Sequence, residues 1–288
     1  MLGAAVPGST TGPTPDKAKG TVRRIGRAAA KFVAPGTAVL YLSLLVLIPI
    51  AAVATSAFGG GWSGFSDSVR NPESWAALKL TLISALVVVV VNTIAGTAIA
   101  WVLVRDQFPG KRVVASLVDL PFALPTVVGG LTLLSLYGPD SPFHLNASGT
   151  RIGVWLALAF VTLPFSVRAV QPVLAELDRD AEEAASSLGA NSHTVLRRIV
   201  LPSLAPAMLS GAMLAFARAM GEFGSLVFIS GEKPFSTEVA SVRIFSLYEN
   251  GQNTSAAAVS LALLVLSLAV LLVFGALRRR LARPEVTL

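Results

Sequence analysis

Six long blocks of almost purely apolar residues leave this chain few ways to fold. They lie near 36–58, 77–104, 113–137, 152–174, 203–229 and 255–277. A helix of about 20 apolar residues crosses the roughly 30 Å hydrocarbon core of a bilayer. In lipid every backbone polar group must find its partner inside the structure, so a span is a helix or part of a closed barrel. A barrel needs short alternating segments, and none occur here. The sequence therefore predicts an all-α polytopic membrane protein with six transmembrane helices. Only 14% of its 288 residues are charged, against about 25% in soluble domains. The mean hydropathy is +0.70. The third to fifth blocks contain Pro, Gly or charge, and are expected to face neighbouring helices more than lipid.

The first block exceeds the h-region of a signal peptide and is read as a retained helix. Residues 1–34, rich in Gly, Pro, Ala, Thr and basic side chains, are expected to form a disordered tail. Residues 35–278 form the membrane domain, and 279–288 a second tail. A net charge of +7 raises nucleic-acid binding, but the charges flank apolar blocks instead of forming a basic face. Most of the 23 Lys and Arg fall on one side if the N-terminus is cytoplasmic. The other side then receives Arg70, Lys79, Arg151, Lys233 and Arg243. The positive-inside rule thus predicts both termini in the cytoplasm.

Several chemistries are absent from the sequence. There is no cysteine, which excludes disulfides, thiolate metal sites and cysteine nucleophiles. His144 and His193 stand far apart on opposite sides, which argues against a histidine metal site or triad. No Gly-x4-Gly-Lys-Ser/Thr loop occurs, so this chain is not expected to hydrolyse ATP.

The predicted topology places residues 176–202 in the cytoplasm. Residues 178–188 are good helix formers with acids early, which suits the helix dipole. Gly189 stands where a helix end wants a left-handed residue. Asn191 or Ser192 can cap a second short helix, with Val195, Leu196 and Ile199 on one face and His193, Arg197 and Arg198 elsewhere. Pro202 is expected to stop that helix and begin the fifth span. By this geometry alone the segment is a helix, a tight turn and a second helix, equally compatible with a plain amphipathic loop on the bilayer.

Glu183-Ala184-Ala185, then Gly189, then Ile199, Leu201 and Pro202 resemble the Glu-Ala-Ala loop of ABC importer permeases. Further segments resemble the T-type sulfate/thiosulfate permeases, with molybdate permeases as close relatives. They are Ala100-Trp-Val-Leu-Val-Arg105-Asp106, Asp119-Leu-Pro-Phe-Ala-Leu-Pro125, Phe160-Val-Thr-Leu-Pro164-Phe, Arg168-Ala-Val-Gln-Pro172 and Arg218-Ala-Met-Gly-Glu222-Phe-Gly224. The resemblance implies a type I importer permease (MetI-like) fold, in which the loop is the coupling helix that docks on a cytoplasmic ATPase. Ala184 and Ala185 would then permit close approach, Gly189 the bend, and Glu183 a charge for a basic partner. It also implies a bacterial inner-membrane location. The implied partners are an ATP-binding subunit dimer, a second related permease and an extracytoplasmic sulfate-binding protein that touches the outer loops near Phe143 and Tyr248. ATP and magnesium would be held by the ATPase, with no cofactor in this chain.

Inside the membrane, Arg218 and Glu222 are expected near the middle of the fifth span, four residues apart on one helix face. Unpaired, each would cost about 2.5–3.5 kcal/mol there. They fit either an ion pair locking the bundle or a pathway in which Arg218 meets a dianion. Asp119 is expected to pair with Arg112 or Arg168. Pro121 and Pro125 are expected to kink the third span, Gly129-Gly130 to allow close packing, and Asn92 to bond between helices. Trp62, Trp75, Trp101 and Trp155 fall near span ends, as an aromatic belt would.

The rival readings are weaker. An intramembrane enzyme lacks convergent nucleophiles, and a secondary carrier has no use for the Glu-Ala-Ala elbow. A molybdate, tungstate or other oxyanion permease differs only in substrate.

Overall fold

The computed structural model describes residues 36, 37 and 39–281. The tail expected at 1–34 falls outside the described residues, as do residues 282–288 of the tail expected at 279–288; residues 279–281 continue the last helix. By its internal contacts the chain divides after Ala52 into two units. In the first, the apolar helix α1 (Val39–Ala57) begins, with one wide π turn at Ser43–Leu47. The second unit holds the rest of the fold, and the described residues contain no strand.

Helix α2 (Gly61–Arg70) is short and amphipathic. Its Phe65 stacks on Phe58 and Trp62 at 4.9 and 5.6 Å between ring centres. The long helix α3 (Pro72–Arg105) starts where Asn71 accepts from the Glu73 and Ser74 amides, with Pro72 in the first turn. Its 34 residues make a rod about 51 Å long. Helix α6 (Arg151–Glu176) and helix α8 (Ser192–Met220) pack against it.

Lipid tails are as apolar as Leu, so close packing and interhelical hydrogen bonds hold such a bundle together. An added Cβ at Gly96 of α3 would lie 2.7 Å from Ser166 Cβ of α6. One at Gly211 of α8 would lie 2.9 Å from Ala169 Cβ. Small residues thus bring three backbones together. Asn92 Nδ2 donates to the Ala159 carbonyl at 2.9 Å and to Thr162 Oγ1 at 2.8 Å, the interhelical bond expected of it. Around this seam are buried Val88, Leu158, Ala215 and Phe216.

Two expected spans take other forms. The third is broken into α4 (Lys111–Ala123) and α5 (Thr126–Tyr137), between which the chain bends by 117°. Leu124, the residue before Pro125, is extended (φ −88°, ψ 133°), the conformation that a following proline imposes. What was expected as a kink is therefore a full break. The fifth span is the second departure. Pro202 does not stop the preceding helix: α8 runs continuously from Ser192 through it to Met220. A π turn at Leu196–Val200 is separated from Pro202 by one residue. That wider turn relieves the clash of the proline ring with the preceding turn, where the ladder already lacks the donor that proline cannot supply. Helix α8 then ends at Met220, and after residues 221–225 the short α9 (Leu226–Ile229) follows.

The two breaks meet. A Cβ at Gly130 of α5 would lie 2.7 Å from the Ser225 carbonyl oxygen. One at Gly224 would run into Thr126 Oγ1 at the start of α5. The chain closes with α10 (Ala240–Glu249) and the span α11 (Asn253–Leu281).

Candidate functional site

Between α6 and α8 the chain turns through the segment singled out by its motif. Helix α7 (Arg179–Ser187) opens with Asp178, which accepts from the Asp180 amide at 2.9 Å. It closes at Gly189, whose φ is +87°. The Ala190 amide donates to the Ala185 carbonyl and the Gly189 amide to the Ser186 carbonyl, each at 3.0 Å. This pair of bonds is a Schellman closure, built around a residue that tolerates the left-handed region. Asn191 Oδ1 then accepts from the Thr194 amide at 2.8 Å and starts α8. The result is a rigid helix–turn–helix elbow.

The elbow divides its residues into two sets. Val195 and Val200 are buried, with Leu196, Ile199 and Ala185 packed against the same cluster as Val170 and Leu174 of α6. Glu183, Ala184, Leu188, Gly189, Arg197, Arg198 and Pro202 are exposed. Leu188 is 90% exposed at the tip, while Leu201 lies at the margin at 37%. The motif residues therefore split: Ala185 and Ile199 anchor the elbow, and Glu183, Ala184 and Gly189 face outward. An outward, partly apolar tip on a rigid mount is suited to docking against another protein.

One carboxylate of the elbow has an unforeseen place. Glu182, next to the motif, forms an ion pair with Arg105 in the last turn of α3. The Arg105 guanidinium also lies over the Trp101 ring, 5.5 Å from its centre. The available sequence signal was Arg105 itself, a cation at the end of a span on the side of the elbow.

A second ion pair joins the first half of the broken span to α6. Arg168 Nε donates to Asp119 Oδ1 at 2.7 Å, and its Nη1 to Gln171 Oε1 at 2.7 Å. Of the two partners weighed for Asp119, the chain uses Arg168.

Arg218 and Glu222 lie at the end of a helix, not in the middle of one. Arg218 sits in the last turn of α8, and Glu222 lies beyond its end in the break. Their side chains stand 2.5 Å apart, with Glu222 buried and Arg218 30% exposed. Glu222 Oε1 accepts from the Ser225 amide at 2.8 Å and from Ser225 Oγ at 2.9 Å. Its carbonyl accepts from Ser241 Oγ at 2.6 Å. Glu222 thus organises the break, and Arg218 supplies its counter-charge. The break forms here because Gly221 and Gly224 flank a carboxylate that satisfies the Ser225 amide outside a helix.

At the end of the bundle remote from the elbow, Glu238 is buried between α9 and α10. Arg243 bonds Glu73 at 2.6 Å and stands 4.0 Å from Glu238. Burial pushes the Glu238 carboxyl above its ordinary value of 4.5; Arg243 opposes this, and Glu73 and Glu232 reinforce it. No group of three or more metal-ligating side chains occurs among the described residues.

Residues 92–283 match the family described as "Binding-protein-dependent transport system inner membrane component". The chain is 40% identical over 258 residues to the sulfate transport system permease protein CysT of Salmonella typhimurium, covering 87% of this chain and 93% of that one. Its fold resembles that of a chain in the bacterial alginate ABC transporter in complex with an alginate pentasaccharide-bound periplasmic protein. That match has a TM-score of 0.73 at 16% identity, over 92% of this chain and 99% of the other. A chain of the MetNI methionine ABC transporter, captured in inward-facing conformations, matches with a TM-score of 0.55 at 18% identity, over 73% of this chain and 94% of the other.

Proposed function

The chain belongs to the family of binding-protein-dependent transport system inner-membrane components, and on that premise we propose that it is the T-type permease subunit of an ATP-driven sulfate importer. It is a multi-pass membrane protein and a transport subunit, not an enzyme. The observation that carries the coupling part of this reading is the elbow: a Schellman-closed turn that presents Glu183, Ala184 and Leu188 outward from a packed mount. The 40% identity that extends across 87% of the chain supports sulfate as the substrate, and thiosulfate is its close chemical analogue.

The elbow docks on a separate ATPase dimer, which holds ATP and magnesium. Closure of that dimer moves the helices as rigid bodies and alternates access between the two sides. This places the elbow and both termini in the cytoplasm, in agreement with the distribution of Lys and Arg. A second, related permease completes the pathway. An extracytoplasmic sulfate-binding protein docks on the opposite side, where Phe143, Phe235 and Tyr248 are each about 60% exposed. It performs most of the substrate selection. Arg218, held by Glu222 rather than free, offers an anion a muted field, which suits passage more than tight binding.

The test is ATP-dependent uptake of labelled sulfate into vesicles holding this chain with its ATPase, second permease and binding protein. Uptake competed by unlabelled thiosulfate and not by molybdate supports the reading. Uptake of molybdate without sulfate keeps the importer architecture and overturns the substrate.

A further inference from the structure

The elbow is joined covalently to α6 at one end and to α8 at the other. Its second helix shares a buried cluster with Ala100 and Leu103 of α3, but α7 stands off: a groove of 1230 Å³ opens toward it, lined by Ile94, Thr97 and Trp101 of α3 and by Ser186, Ser187 and Leu204 from the elbow side. Across this gap, the Arg105–Glu182 pair fastens the first turn of α7 to the last turn of α3. The pair is largely shielded, with side-chain exposures of 10% for Arg105 and 20% for Glu182. Arg105 Nε is buried without a hydrogen-bond partner, so loss of the Glu182 carboxylate would leave a cation held by little besides the Trp101 ring.

Helix α3 is suited to carry a displacement. It has no proline after its first turn. Its far end is pinned as firmly as its near end: Glu73 bonds Arg243 at 2.6 Å, and Thr81 Oγ1 accepts from the Ala240 amide at 2.7 Å. Both contacts reach α10, the helix that bears exposed Tyr248.

We propose that the Arg105–Glu182 pair is a coupling strut: it makes α3 follow the elbow, so that a stroke delivered at α7 reaches α10 on the opposite side of the membrane. Without the strut α7 shifts into the groove while the second helix stays packed, and the stroke is spent locally. Arg105 and Glu182 are positioning residues, because neither need touch the ATPase or the substrate. The proposal rests on the reading of the elbow as the ATPase-docking element.

The experiment measures labelled sulfate moved per ATP hydrolysed by the complete transporter in vesicles. Glu182→Gln and Arg105→Gln are compared with the exchange Arg105→Glu/Glu182→Arg and with Gly189→Pro. The strut predicts that each single variant inserts and co-purifies with the ATPase, yet moves roughly fivefold less sulfate per ATP, the lower end of typical coupling between sites. It predicts that the exchange exceeds either single variant. A merely structural pair would lower the amount of assembled transporter without changing that ratio. Wild-type ratios in the single variants, or an exchange no better than they are, would overturn the strut. If Gly189→Pro uncouples while the strut variants do not, only the strut fails. If Gly189→Pro also keeps the wild-type ratio, the elbow reading itself fails.

Discussion

At the scale of single residues, Gly189 carries the sharpest demand. Its φ of +87° lies in the left-handed region, yet nothing stands within 4 Å of an added Cβ. Substitution is therefore penalised by the backbone alone. Gly189→Ala should lower stability by about 1 kcal/mol, and Gly189→Asn by less, because asparagine tolerates this region. Thermal midpoints of the purified chain check the order. Glu238 makes a different prediction. Its folded carboxyl binds a proton more tightly than the unfolded one, whose value is near 4.5. Between those two values the folded state holds more protons, so stability falls as pH rises through the window above 4.5. Glu238→Gln should flatten that fall in a series of melts across pH; an unchanged profile would contradict the assignment. The motif led to Glu183, but the phase of α7 turns its neighbour Glu182 toward Arg105. Two adjacent acids on a nine-residue helix give no sequence signal for which one faces inward.

At the scale of elements, hydropathy revealed where the helices lie, and glycine and proline chemistry revealed the elbow turn. The breaks were less legible. A proline at 125 allows anything from a slight kink to a sharp reversal, and the 117° bend adopted is set by how α5 seats on residues 224–225. Similarly, Pro202 read locally is a helix stop, whereas a π turn one residue upstream lets α8 continue. Arg218 and Glu222 read as sharing one continuous helix because the apolar block runs past the end of α8 at Met220. The seat of α5 can be tested. Gly130→Ala forces a Cβ against the Ser225 backbone and should destabilise by about 1–3 kcal/mol, as overpacking does. Gly64→Ala, where a Cβ meets nothing within 4 Å and φ is not left-handed, should instead raise the thermal midpoint slightly. Equal effects at the two positions would contradict the close contact of the breaks.

At the scale of the whole molecule, the second unit carries the elbow, proposed to dock on the ATPase, at one end and the exposed aromatic residues Phe143, Phe235 and Tyr248 at the other. Because the chain contains no cysteine, single cysteines report its direction cleanly. A Tyr248→Cys variant should react with an impermeant maleimide from outside intact cells, and Leu188→Cys only after the membrane is opened. The opposite pattern would invert the topology. The family resemblance was legible because motif spacing survives drift in the apolar stretches, where one aliphatic residue serves as well as another. The central claim is that the elbow couples ATP to transport. Its most direct test is to measure sulfate uptake and ATP hydrolysis together, in the same vesicles, for the wild type and Gly189→Pro. The account predicts that the variant inserts and still permits hydrolysis while uptake per ATP collapses. Wild-type uptake per ATP in that variant would contradict it.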